Sequence, residues 1–395
     1  MIVIAAGVCA ALHIGKLPPA ITTVREALGM TLVQAGFLLS LVQMAGMSCG
    51  VAFGVLADSL GLRRSMALGL VVLAAASAIG GLAQGVVMLM VLRAIEGFGF
   101  LLVVLPAPGL VRRLVAPQRV SVMLGLWGAY MPLAIALALL IGPLYISAWG
   151  WRAWWWALAA VSLVMAGVLL RRVPPALAAE PASGAPWLQR LHLTLAAPGP
   201  WLVALTFAAY SGQWLAVIGF LPAIYMQAGV SGAATGVLTA LAAAANIAGN
   251  VGAGRLLHRG IAPTRLLAIG FVTMALACTA TFAGADSAGL PAWARFVAVL
   301  LFSGVGGLIP ATLFALAMRV APSESTLSTT IGWMQQWSAM GQFLGPPLVA
   351  WVASLMGGWQ FTWLVTGATS IVGLLLAGAL ARLGAPAPAV APTRR

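Results

Sequence analysis

The chain is 395 residues long, 62% hydrophobic and only 7% charged, with 20 basic residues against 6 acidic ones and a formal net charge of +14. Soluble domains carry about 25% charged residues, so a soluble fold is excluded and the chain reads as an all-α membrane protein that crosses the bilayer many times. In a soluble protein this basic balance would point to nucleic acid. Here the arginines fall in short gaps between apolar runs, so no nucleic-acid partner is expected.

A spanning helix needs about 20 apolar residues. Runs and breaks predict twelve spans, at 1–22, 33–57, 65–84, 86–111, 120–147, 152–171, 200–227, 232–256, 264–284, 291–318, 326–354 and 359–382. With a cytoplasmic N-terminus, the inner loops and C-terminal end hold fifteen arginines. The outer loops hold three: Arg25, Arg152 and Arg295. That asymmetry predicts an even number of spans with both termini inside. The three cysteines, Cys9, Cys49 and Cys278, lie in apolar runs without CxxC spacing and read as small buried hydrophobes.

Span one carries His13 and Lys16, three apart and therefore on one helical face. Lys16 precedes Leu17-Pro18-Pro19 near the outer end. Its side chain either snorkels to the interface or brings positive charge inward beside His13.

Between spans two and three stands Gly54-Val-Leu-Ala-Asp58-Ser-Leu-Gly61-Leu-Arg63-Arg64. Gly54 allows close helix approach. Gly61 suits a tight turn. Asp58 is able to pair with a nearby arginine or cap a helix. This stretch resembles the signature loop of the major facilitator superfamily (MFS), Gly-x-x-x-Asp-x-x-Gly-x-Arg-Arg. The resemblance implies an MFS fold, with 12 transmembrane helices in two six-helix halves, N-in/C-in. It also implies that Gly54, Asp58, Gly61, Arg63 and Arg64 form a gating loop that makes and breaks as the halves rock. The matching loop of the second half, around His258, keeps glycines and arginines but has no acid.

Span four holds Arg93 and Glu96 inside the run 85–110, which has no other charge. Burying either charge alone in hydrocarbon costs roughly 2.5–3.5 kcal/mol, so the two are expected to be paired, used, or both. Arg93-x-x-x-Gly97-x-Gly99 also resembles the family's fourth-helix motif, in which the arginine is linked to proton or substrate coupling. Two readings stand side by side. Arg93 and Glu96 form a fixed pair, or Glu96 takes and loses a proton while Arg93 tunes that step or binds an anion. The resemblance implies that spans one and four line a central cavity. His13, Lys16 and Arg93 would make that cavity positive and favour an anionic or zwitterionic small solute.

Span five has Ala138, Gly142-Pro143 and then Leu144-Tyr145-Ile146-Ser147, a poor match to the glycine-rich signature of family members that exchange solute for protons. Other cavity candidates are Gln43, Tyr130, Tyr210, Gln213, Trp214, Asn246, Asn250, Gln335, Gln336 and Trp337. An amide in lipid is costly unless it faces protein or water, and about half of these are expected only to bond a neighbouring helix.

The segment 172–199 is the one long polar stretch, read as a cytoplasmic linker between an N-terminal half, 1–171, and a C-terminal half, 200–383. A tail follows at 384–395. Residues 187–195 form either an interfacial helix anchored by Trp187 and Arg190 or a flexible linker. The halves read as a repeat. Gly142-Pro143 matches Gly345-Pro346, Ala116-Pro117 matches Ala321-Pro322, and Trp149-Gly-Trp-Arg-Ala-Trp matches Gly357-Gly-Trp-Gln-Phe-Thr-Trp. Such parallel halves commonly hold solute between them at mid-membrane.

No HExxH, Walker loop, dinucleotide fingerprint or nucleophilic triad is found, so no enzyme, metal or cofactor is expected. The expected function is secondary active transport of a small solute by alternating access, proton-coupled through Glu96 and Arg93. Solute would be bound by His13, Lys16, Arg93, Gln43, Tyr130, Tyr210, Gln213, Asn246, Gln335 and Gln336. The expected setting is a monomer in the bacterial cytoplasmic (inner) membrane, with the lipid bilayer, protons and a small molecule as partners. A proton-driven exporter of drugs or metabolites and a non-transporting receptor on a transporter fold are the alternatives. Within the superfamily, Lys16-Leu-Pro-Pro, the 54–64 loop and residues 93–99 resemble the cyanate and nitroimidazole permease-like group.

Overall fold

The computed structural model describes residues 1–48, 61–116, 119, 123, 126–174, 187–284 and 290–383. Among these residues the ordered elements are all helices. Nine of the described helical stretches are long and apolar enough to cross a bilayer. One of them, Tyr130–Arg172, has 43 residues, about 65 Å of helix, or twice a hydrocarbon core. It is spans five and six, joined at Gly150, whose φ of 78° turns the chain. Leu32–Ser48 is the described part of span two. Leu327–Leu355 is span eleven, where Gln335, Gln336, Ser338 and Gln342 dilute the hydropathy. The set is consistent with twelve spans.

Several spans are interrupted where the sequence lacks a donor or places a glycine. Span one is helical over Ile2–Gly15 and resumes at Ile21–Leu28 after a 3-10 turn at Pro18–Ala20. Pro18 and Pro19 carry no N–H for the ladder. Span four breaks before Ala107, after Pro106. Span ten breaks at Gly307, between Ala292–Gly306 and Leu308–Val320. The linker contains a helix at Trp187–Ala196.

The two halves repeat one packing scheme. In the first, span one packs on span five, where Gly15 meets Ala138 and Ile135, and span three packs on spans four and six. In the second, span seven packs on span eleven and span nine on spans ten and twelve. Leu82, Val87, Val164, Leu276 and Leu375 point outward and are exposed, as suits helices that face lipid.

The halves meet where span two lies on span eleven and span five on span eight. Gly36 touches the backbone of Pro346 and Pro347, Leu39 fills the space above Gly219, and Gly236 abuts the carbonyls of Leu139 and Leu140. These contacts lie toward the end of the bundle that carries the turns at 29–31 and 228–231, the outer end by the arginine asymmetry.

Candidate functional site

His13 and Lys16 stand at the last turn of the first helix, just before the Pro18 break. Their shared face turns toward spans three, four and six. Lys16 is fully buried, so it does not snorkel. Its ammonium finds acceptors on every side and has no need of the interface. It pairs with Glu96 Oε1, donates to Ser77 Oγ at 2.9 Å, and lies 3.4 Å from His13 Nδ1. The Glu96 carboxylate and the Ser77 hydroxyl accept from the ammonium, and the His13 ring nitrogen lies beside it. The Trp155 ring lies 4.7 Å from Nζ, a cation–π contact.

Glu96 is 1% exposed and engages both of its oxygens. Oε1 takes Lys16, and His13 Nδ1 stands 3.6 Å away. Oε2 takes Arg93 Nη1 at 2.5 Å. Arg93 is fully buried and tied to three spans: Nη1 also donates to the His13 carbonyl at 2.6 Å, and Nε to the Leu38 carbonyl at 3.3 Å. Its Nη2 has no hydrogen-bond partner among the described residues. On the far side, His13 Nε2 lies 2.7 Å from Ser162 Oγ, and Ser77 Oγ donates to the Trp155 carbonyl at 2.8 Å.

Gly97 is what lets this cluster form. A Cβ there would run into the Val42 carbonyl and backbone, so only glycine lets span four approach span two closely enough for Arg93 to reach Leu38.

A second polar cluster, without charge, lies in the other half. Asn246 Nδ2 donates to Tyr210 Oη at 2.8 Å and to the Ser303 carbonyl at 2.9 Å. Asn250 donates to Asn246 Oδ1 at 2.9 Å, and Trp214 Nε1 to Ser303 Oγ at 3.1 Å. A third group crosses between the halves: Gln43 Nε2 donates to Gln342 Oε1 at 3.0 Å and Gln336 Nε2 to the Met47 carbonyl at 2.8 Å.

The remaining candidates are dispersed. Gln213 donates to the Ala209 carbonyl and accepts from Ser370 of span twelve at 3.1 Å. Its amide is bonded inside the second half. Tyr130 stacks on Trp127 with centroids 4.4 Å apart. Gln335 is half-buried in span eleven, and Trp337 packs edge-on to Trp201 and Trp333. In the signature loop, Gly61 has φ +81° at the start of Leu62–Gly80. Arg63 donates to the Leu170 carbonyl at the end of span six, and Arg64 is exposed. Gly54 and Asp58 lie outside the described residues.

Ser77, Ser162, Trp155, Ser303 and Gln342 were not singled out by sequence reasoning. A serine in an apolar run is a weak signal, because most only bond their own helix. The repeated tryptophans before span six were the available hint for Trp155. Among the described residues, no three His, Cys, Asp or Glu side chains gather as a metal site would require.

Comparison with known proteins gives a consistent setting for this geometry. A family model described as Major Facilitator Superfamily matches residues 3–326 and 202–395. The cyanate transport protein CynX of Escherichia coli (strain K12) is 27% identical over 236 residues, 58% of this chain and 59% of that protein. The match therefore spans about three-fifths of the relative's length. Among solved structures, a bacterial homolog of the human lysosomal transporter Spinster, inward-facing and occupied, superposes with a TM-score of 0.81 at 15% identity. Its inward-facing, unoccupied form gives 0.77 at 14%. Both alignments cover 96% of each chain, and at that identity they speak to fold alone.

Proposed function

The chain belongs to the Major Facilitator Superfamily, and on that premise we propose that this multi-pass membrane transporter moves a small anionic solute by alternating access, coupled to protons through Glu96. That it is a transporter and not an enzyme follows from the family. The anionic class, the coupling ion and a bacterial inner-membrane setting are our reading.

The observation that carries it is Glu96, a carboxylate sealed in the first half between the cations of Lys16 and Arg93. Two cations and one carboxylate leave one positive charge at the level of the hydrocarbon. An intramembrane ionisable cluster of this kind commonly marks an ion or solute path. The name of the Escherichia coli relative, a cyanate transport protein, adds a small anion as precedent.

The test is uptake into proteoliposomes under an imposed pH gradient, with labelled cyanate, formate and nitrate as probes. Wild-type protein is expected to accumulate at least one probe when the gradient points inward, and Glu96→Gln is expected to lose that dependence on the gradient. Equal accumulation by both proteins across a pH series would sink the assignment of Glu96.

A further inference from the structure

We propose that Glu96 is a tethered anion. Its carboxylate occupies the seat that the solute anion takes, so proton and solute enter the site together at one proton per single negative charge. This rests on the reading of Glu96 as the coupling group, and it adds the charge class of the solute and the group with which it competes.

The geometry points this way on three counts. Each oxygen of Glu96 is held by a different cation, Oε1 by Lys16 and Oε2 by Arg93. A carboxylate bridging two cations marks a site whose size and charge suit one small oxyanion. Arg93 Nη2 is buried and has no partner among the described residues, so the guanidinium offers more donors than Glu96 uses. Finally, Arg93 is anchored by the carbonyls of His13 and Leu38. Backbone acceptors from two spans keep it in place whatever Glu96 does.

Among the described residues the groups facing Glu96 are few. Span one supplies His13 and Lys16, and span four supplies Arg93. Span three contributes the Ser77 hydroxyl through Lys16, span six contributes Ser162 through His13, and span two contributes only the Leu38 carbonyl to Arg93. Among these groups Glu96 is the one acid.

Charge conservation then fixes the exchange. With Glu96 ionised and no solute, Lys16, Arg93 and Glu96 sum to one positive charge. Protonation of Glu96 releases both cations, and a monovalent anion between them restores the same sum. Empty and loaded sites carry equal charge, so neither bears an extra uncompensated charge in a low-dielectric interior. A divalent anion would leave the loaded site one charge short of that balance.

Equilibrium binding to purified protein tests this without any flux. Thermal stability is followed with formate, nitrate and cyanate, and with sulfate as the divalent comparison. For wild type, affinity for at least one monovalent probe is expected to rise about tenfold per unit fall in pH, the slope of one linked proton. Glu96→Gln is expected to bind the same probe more tightly and without pH dependence. In Glu96→Ala, which opens a void the size of a carboxylate, formate is expected to restore lost stability. The proposal is overturned if Glu96→Gln binds every monovalent probe more weakly than wild type. It is equally overturned if no probe stabilises any of the three proteins, or if sulfate is preferred by wild type. Failure of gradient-driven uptake with this binding pattern intact would instead count against the coupling reading alone.

Discussion

Gln43 of span two and Gln342 of span eleven share a hydrogen bond of 3.0 Å across the two halves, and both amides are buried. Each helix is irregular at that point. Span two passes through a 3-10 turn at Leu41–Gln43, a feature that often marks a hinge within a helix. In span eleven, Pro346 lacks the N–H that would bond the Gln342 carbonyl four residues earlier. The contact therefore joins two helices at points where each departs from the regular α-helical hydrogen-bond ladder.

Removing this bond should loosen the outer closure. Gln342→Ala leaves the buried Gln43 amide unpartnered, a cost of about 1–3 kcal/mol to the closed state. Leu39, which packs on Gly219 across the same interface, reports on it. A Leu39→Cys protein, with Cys9, Cys49 and Cys278 changed to alanine, should react slowly with a membrane-impermeant thiol reagent added outside. Adding Gln342→Ala should raise the labelling rate at least severalfold. An unchanged rate would show that the amide pair does not hold the halves together.

Gly97→Ala should lower both stability and transport. The new Cβ meets the Val42 backbone, and backbone does not yield as a flexible side chain does. Overpacking of this kind costs about 1–3 kcal/mol. It also pushes Arg93 away from the Leu38 carbonyl. Gly167→Ala is the control, since nothing lies within 4 Å of a Cβ there. The comparison is read as melting temperature together with initial transport rate.

Lys16→Met should be destabilising, and its cost should be smaller in a Glu96→Gln background than in the wild-type chain. The single change leaves a buried carboxylate with one of its two cations gone; Arg93 still pairs with it, so the cost should stay below the about 3–5 kcal/mol of a buried charge left wholly unpaired. The double change removes the Lys16–Glu96 pair but leaves Arg93 buried without its carboxylate, so it is not expected to restore wild-type stability. Melting temperatures of the two single variants and the double variant give the coupling directly. Additive losses would mean that Lys16 and Glu96 act independently in solution.

Gln213→Ala should lower the melting temperature and leave the half-saturating solute concentration unchanged. Its amide is spent on Ala209 and Ser370 within the second half. A net hydrogen-bond contribution of about 0.5–1.5 kcal/mol sets the scale. A shift in solute affinity without a shift in stability would instead place Gln213 on the solute path.

The order of the spans, a count consistent with twelve, and the placing of Arg93 and Glu96 on one face of span four were legible in the chain. Hydrocarbon imposes length, apolarity and charge pairing on sequence directly, and those rules need no knowledge of neighbours. The family resemblance rested on the 54–64 loop and residues 93–99 in the same way.

Which face each polar residue turns to could not be read. Gln43, Gln213 and Asn246 look alike in sequence as amides in apolar runs. The structure sends the first across the halves, the second to span twelve, and the third to Tyr210 and Ser303. The same holds for Lys16. Its position near the end of span one permits an outward path. Only the packing of spans three, four and six around it supplies Ser77 and Glu96 as inward acceptors. Sequence alone determined that this chain must cross a membrane many times and must pair or use the few charges it carries within the hydrocarbon. Tertiary structure decided which charges meet, because a side chain's partners on other helices are set by packing distances that its own helix does not encode.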